Sequence, residues 1–182
     1  MRFLPHALAL GLAVLVAPQW LAGQAKPLPP DSAAWLEAQA RTIMAAVPYP
    51  TFITVGKDGH PQARTIQPLA PDSTWTVWFA TNPRTRKVGE VSRNPRVTLH
   101  YFDPSTLSYV TLIGRGRVVR DRATKAVHWA PAWDAFYPDR DSSVVLMAVT
   151  AERLEIVSTG LKITGDPRTW RPPSVTVRRR NQ

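Results

Sequence analysis

Cysteine is absent from the chain. That excludes a disulfide framework, a lipid-anchoring cysteine, a thiol redox centre and any cysteine-ligated zinc site. Glycine is scarce, at 9 of 182 residues, and nowhere forms the glycine-rich loop that cradles a nucleoside triphosphate. The four histidines, His6, His60, His100 and His128, include no pair at metal-ligand spacing. Acidic side chains are also few, 13 against 23 Lys and Arg, for a formal charge of +10. No Ser-His-Asp or paired-carboxylate pattern stands out. The longest apolar stretch, Leu8 to Val16, is too short for a membrane span of roughly 20 residues.

What is present at the start reads as a targeting segment. Met1-Arg2 supplies charge, Leu8–Val16 an apolar core, and Gly23-Gln24-Ala25 a small-x-small cleavage site. Residues 1–25 are therefore expected to be a secretory signal peptide, and residues 26–182 a single periplasmic or secreted domain. Removing 25 of 182 residues leaves 157, enough for one core. The charge falls only from +10 to +9, because Arg2 alone leaves. It gathers in three places: Arg84, Arg86 and Lys87; Arg115, Arg117, Arg120 and Arg122; and Arg178-Arg-Arg180. Such clusters favour anionic partners, whether a phosphorylated cofactor, nucleic acid or an acidic surface.

The mature chain alternates short strands with turns. A helix is expected from Asp31 or Ser32 to Val47, with Trp35, Ala38, Ile43 and Ala46 at roughly helical spacing, ended by Pro48 and Pro50. Thr51–Val55 and Gln62–Leu69 flank a Lys57-Asp-Gly59 hairpin turn. Strands are expected at Trp75–Ala80, Arg96–Phe102, Tyr109–Val119, Val144–Val149 and Leu154–Val157. Short helices are expected at Lys87–Arg93 and Arg122–His128. Gly114 and Gly116 inside a long strand suggest a bulge or bend. Six or seven short strands with few helices are most economically buried as a small antiparallel barrel.

One stretch carries chemistry. Trp75-Thr-Val-Trp-Phe-Ala-Thr-Asn-Pro-Arg-Thr-Arg-Lys87 runs an aromatic strand into a helix start that is rich in hydroxyls and cations. Hydroxyls, unpaired backbone N–H groups and two cations suit a phosphate. Asp58-Gly-His-Pro-Gln-Ala-Arg64, Trp78-Phe-Ala-Thr81 with Thr85-Arg-Lys87, Asn94-Pro-Arg-Val97 and Gly114-Arg-Gly-Arg-Val-Val-Arg-Asp121 follow in order. Together they resemble the flavin-binding split-barrel proteins related to pyridoxamine 5′-phosphate oxidase, especially the general stress protein-like branch. The resemblance spans most of residues 51–160.

It implies a mainly β, α+β fold: a six-stranded antiparallel split β-barrel with short flanking helices, forming a homodimer with FMN at the interface. Carried over by position, Arg64, Thr65, Ile66 and Gln67 would lie along the ring and ribityl chain. Thr81, Thr85, Arg86 and Lys87 would hold the phosphate. Trp129, with Trp133, Phe136 and Tyr137, is either a wall over the flat cofactor or ordinary core and dimer packing. Trp170 either covers the ring edge or anchors the tail. The implied activity is that of an FMN-dependent oxidoreductase on an unknown small molecule. The alternative is a non-catalytic module holding a flavin or another anionic ligand. Pyridoxamine phosphate oxidases carry a C-terminal Arg-x-His pair for their substrate. Val175-Thr-Val-Arg-Arg-Arg-Asn-Gln182 has no histidine, so that particular reaction is not expected here.

Overall fold

In a computed structural model of the chain, residues 32–177 are described. The expected signal peptide, the Asp31 cap and the Arg178–Arg180 tail lie outside them. Helix α1, Ser32–Ala45, buries Leu36, Ala40, Ile43 and Met44, an i, i+4, i+7, i+8 stripe. This corrects the expected face: Ala38 and Ala46 point to solvent. The strands are β1 Thr51–Val55, β2 Pro61–Thr65, β3 Thr76–Thr81, β4 Arg96–Asp103, β5 Ser108–Val119, β6 Val145–Ser158 and β7 Ser174–Thr176. Helices α2, Arg86–Arg93, and α3, Arg122–Val127, and a one-turn 3-10 helix at Pro131–Trp133 complete the elements.

All ladders are antiparallel, in the order β2-β1-β4-β5-β6-β3, with β7 against β6. The sheet curls until its two ends meet. Phe52 on β1 and Phe79 on β3, far apart in strand order, touch edge to face at 5.2 Å between ring centroids. Between β2 and β3 the chain crosses the seam, Ile66 N–H donating to Pro50 O and Leu69 N–H to Trp78 O. That crossing ends β2 at Thr65, four residues short of the expected Leu69.

Three further differences have physical causes. The sheet has seven strands rather than six, because Ser174-Val-Thr176 pairs with Arg153–Glu155. Val175 is its only buried side chain; that burial contributes about 1.5 kcal/mol, and the ladder supplies the rest. The two strands expected at Val144–Val149 and Leu154–Val157 are one, β6. Glu152 is the extra residue of a bulge opposite Ile113 and Gly114, where the register shifts. Trp170 neither packs nor anchors; it is 84% exposed at φ 57°, while Ile163 and Val175 are buried.

The barrel interior is filled from β1, β3, β4, β5 and β6 and closed by α1. Tyr101 lies inside it, 2% exposed, with no partner for its hydroxyl among the described residues. Burial raises its pKa. Replacing Tyr101 by Phe removes a desolvated, unpaired group and is expected to stabilise the fold by about 1 kcal/mol, or ~2–4 °C. A calorimetric melting curve checks this.

Candidate phosphate site at the β3–α2 junction

The hairpin joining β1 to β2 sets one wall. Gly59 takes φ 83°, a left-handed conformation that glycine adopts freely, and Gly56 N–H donates to His60 O at 2.7 Å. Directly opposite residues of an antiparallel pair share a face, so Phe52 and Arg64, and Thr54 and Gln62, all point inward. The barrel is therefore apolar in its body and polar at this end.

Helix α2 sets the other wall. Val88 and Val91 bury its apolar face, and Glu90 is buried beside them at 1% exposure. A carboxylate so placed needs partners. Thr54 Oγ1 donates to Glu90 Oε2 at 2.5 Å, Arg64 to the same oxygen at 2.7 Å, and Arg86 to Oε1 at 2.8 Å. Arg64 also donates to Thr54 Oγ1 at 2.6 Å. Burial pushes the Glu90 carboxyl up, but the hydrogen bonds from Thr54 and Arg64 and the charges of Arg64 and Arg86 outweigh it and hold it below its usual 4.5.

A folded-state pKa below the unfolded value stabilises the fold above that unfolded value. The stabilisation is lost as pH falls through the folded one. The melting temperature should thus fall between about pH 5 and pH 3, and Glu90→Gln should flatten part of that slope. Thermal melts across the range check the sign.

Next to this cluster, the start of α2 is left uncapped. Thr85 makes no capping bond to the helix; its hydroxyl donates instead to Asn82 O at 2.9 Å and lies 3.3 Å from the Thr81 hydroxyl. The first N–H groups of the helix therefore keep their capacity for an acceptor. Lys87 is half-buried. Burial lowers its pKa, Arg64 lowers it further, and Glu90 opposes both. An anion arriving here would relieve that pressure. An open groove of about 450 Å³ adjoins the cluster, lined by Gly56, Lys57, Asp58, Gln62, Arg86 and Glu90.

Of the residues expected from the sequence, Arg64 and Arg86 bond to Glu90, Lys87 follows Arg86 in the first turn of α2, and Thr81 and Thr85 sit at the same strand-to-helix junction. Thr65 and Gln67 are exposed on β2 and the seam, and Ile66 is buried. Trp129 lies in a separate cluster. Its indole donates to Asp134 at 3.1 Å, Arg140 stacks over its ring at 4.6 Å, and it packs near Trp78, Val119 and Trp133. Within that cluster His128 stacks on Trp78 at 3.6 Å, and Phe136 is exposed. Lys125, buried in α3, donates to Arg140 O at 2.5 Å and Asp141 O at 3.0 Å and so pins the following loop. Sequence reasoning missed Glu90 and Thr54. The available signal was Glu90 four residues after Arg86, one helical turn away on the same face.

A sequence profile of the family described as Pyridoxamine 5′-phosphate oxidase like matches residues 38–161. The chain belongs to this family. The match takes in β1 through β6 and every residue of the cation cluster. Solved structures repeat the fold. A protein related to general stress protein 26 from Clostridium acetobutylicum has a TM-score of 0.64 at 20% identity, over 77% of this chain and 93% of that one. General stress protein 26 from Bacillus anthracis has 0.57 at 18%, over 67% and 93%. A heme binding protein from Mycobacterium smegmatis has 0.56 at 21%, over 76% of this chain and 56% of that one. No match was found among curated proteins. Among the described residues no helix is long and apolar enough to cross a membrane, and no three His, Cys, Asp or Glu side chains group as metal ligands.

Proposed function

We propose that this member of the family binds FMN by its phosphate at the β3–α2 junction and acts as an exported, homodimeric flavin-dependent oxidoreductase on a small molecule. The observation that carries the reading is a charge count. Arg64 and Arg86 pair with one carboxylate, Glu90, and half-buried Lys87 follows Arg86 on the same helix, leaving two positive charges beside an uncapped helix start. A phosphate monoester near neutral pH carries about −1.5 to −2, so site and ligand are complementary.

Arg86, Lys87 and the hydroxyls of Thr81 and Thr85 would hold the phosphate, with Arg64 to Gln67 along the rest of the flavin. The flavin supplies the hydride-transfer chemistry; the protein supplies binding, orientation and electrostatics. A second copy would cover outward residues of β1, β4 and β5 such as Ile53, Phe102 and Ile113, of which Phe102 is 47% exposed.

FMN titration followed by reduction with a nicotinamide donor tests the reading. Tight binding with turnover supports it; tight binding without turnover makes the chain a flavin-holding module instead. Sedimentation gives the oligomeric state, and fractionation of expressing cells tests export.

A further inference from the structure

A phosphate cradle needs donors and cations, yet this one has a carboxylate at its centre. Glu90 is withdrawn from water and spends both oxygens on the cluster, Oε2 on Thr54 and Arg64 and Oε1 on Arg86. Its two arginines are not equivalent. The Arg64 side chain is 19% exposed and is bound a second time by Thr54, so it is fixed. The Arg86 side chain is 66% exposed and reaches Glu90 from the rim of the groove, so it can turn to a ligand without leaving its helix.

We propose that Glu90 is a resident counter-ion of the phosphate site. It holds Arg64 and Arg86 in bonding position, offsets one of their charges, and shares Arg86 with the phosphate of the ligand. The proposal deepens the FMN reading and rests on it. Without the carboxylate, Arg64, Arg86 and Lys87 would be three like charges in one half-buried corner, and Lys87 already feels Arg64. With it, the free protein keeps its cations ordered, and the ligand meets two net positive charges rather than three. A carboxylate that only tied α2 to the hairpin would not alter the preference for a charged ligand. A counter-ion would.

The test titrates FMN and riboflavin, which differ by the phosphate, into wild type, Glu90→Gln and Glu90→Gln/Arg86→Gln. Melting shifts with inorganic phosphate form a separate arm. Glu90→Gln keeps the shape of the side chain and removes its charge. The preference for FMN over riboflavin is expected to rise roughly three- to tenfold at low salt and to shrink as salt is added. Removing Arg86 as well should return the preference towards wild type. A preference in Glu90→Gln that is unchanged or lower overturns the proposal and leaves the FMN reading standing.

Where wild type ignores FMN, the FMN reading has failed and the phosphate arm decides. A larger phosphate-induced melting shift in Glu90→Gln than in wild type supports the counter-ion; an equal shift, or none in either, overturns it. Should Glu90→Gln not fold, Arg86→Gln and Lys87→Gln carry the test, because only the first unmasks Glu90. Arg86→Gln should then cost at least about threefold more FMN preference than Lys87→Gln; equal losses contradict the proposal.

Discussion

Replacing Arg86 and Lys87 together by alanine is expected to weaken FMN binding at least about a hundredfold while leaving riboflavin binding nearly unchanged. Hydrogen bonds to charged groups contribute about 1.5–3 kcal/mol each, and each 1.4 kcal/mol is a tenfold change in affinity. The double variant leaves Arg64 facing Glu90 alone, so the net charge of the cluster falls from two positive charges to none. The fold should survive. Arg86 is largely exposed, Lys87 is half-buried, and Glu90 keeps Thr54 and Arg64 as partners. Fluorescence titration with both ligands reads the result. Equal weakening of FMN and riboflavin would point to a distorted pocket, and unchanged FMN affinity would remove the phosphate assignment.

Gly114→Val is expected to be the most damaging single change in the sheet. A Cβ added at this position would lie 2.1 Å from Thr150 O and 2.9 Å from Thr150 C. Both are backbone atoms of β6, so no rotamer change relieves the clash. The residue sits where the β5–β6 register shifts, and the bulge depends on that close approach. A loss of about 3 kcal/mol or more follows, or roughly 10 °C in melting temperature. Gly160→Ala is the control, because a Cβ there meets no atom within 4 Å. A melting temperature for Gly114→Val within a degree or two of wild type would refute the account of the bulge.

Where periodicity and turn chemistry act locally, the fold was legible in the sequence. Thr51–Val55 shows its alternation in five residues, and Asp58-Gly59 announces the turn that follows. Gly114 signalled its bulge because a glycine inside a β-branched run has few other uses. The partner of that bulge was not legible. Thr150-Ala-Glu-Arg153 is polar enough to look like a turn, and pairing with β3, β5 and β7 keeps it a strand. A terminal strand at Val175 could be read, but its pairing with β6 could not, because one buried apolar residue beside two prolines carries no alternation.

The cations of the site could be nominated because residue type and a strand-to-helix junction suffice to suggest a phosphate. Glu90 was signalled only by its i, i+4 spacing from Arg86; its bond to Arg64, 26 positions away on another element, was not legible. Trp129 was nominated on residue type alone, but its hydrogen bond and packing within the chain are with the α3 segment and the outer face of β3.

The most direct test of the central claim is an absorbance spectrum of the purified protein, mixed with FMN and passed through gel filtration. The account predicts flavin bands that travel with the protein, at one FMN per chain. A colourless protein that also leaves FMN fluorescence unchanged on titration would contradict it.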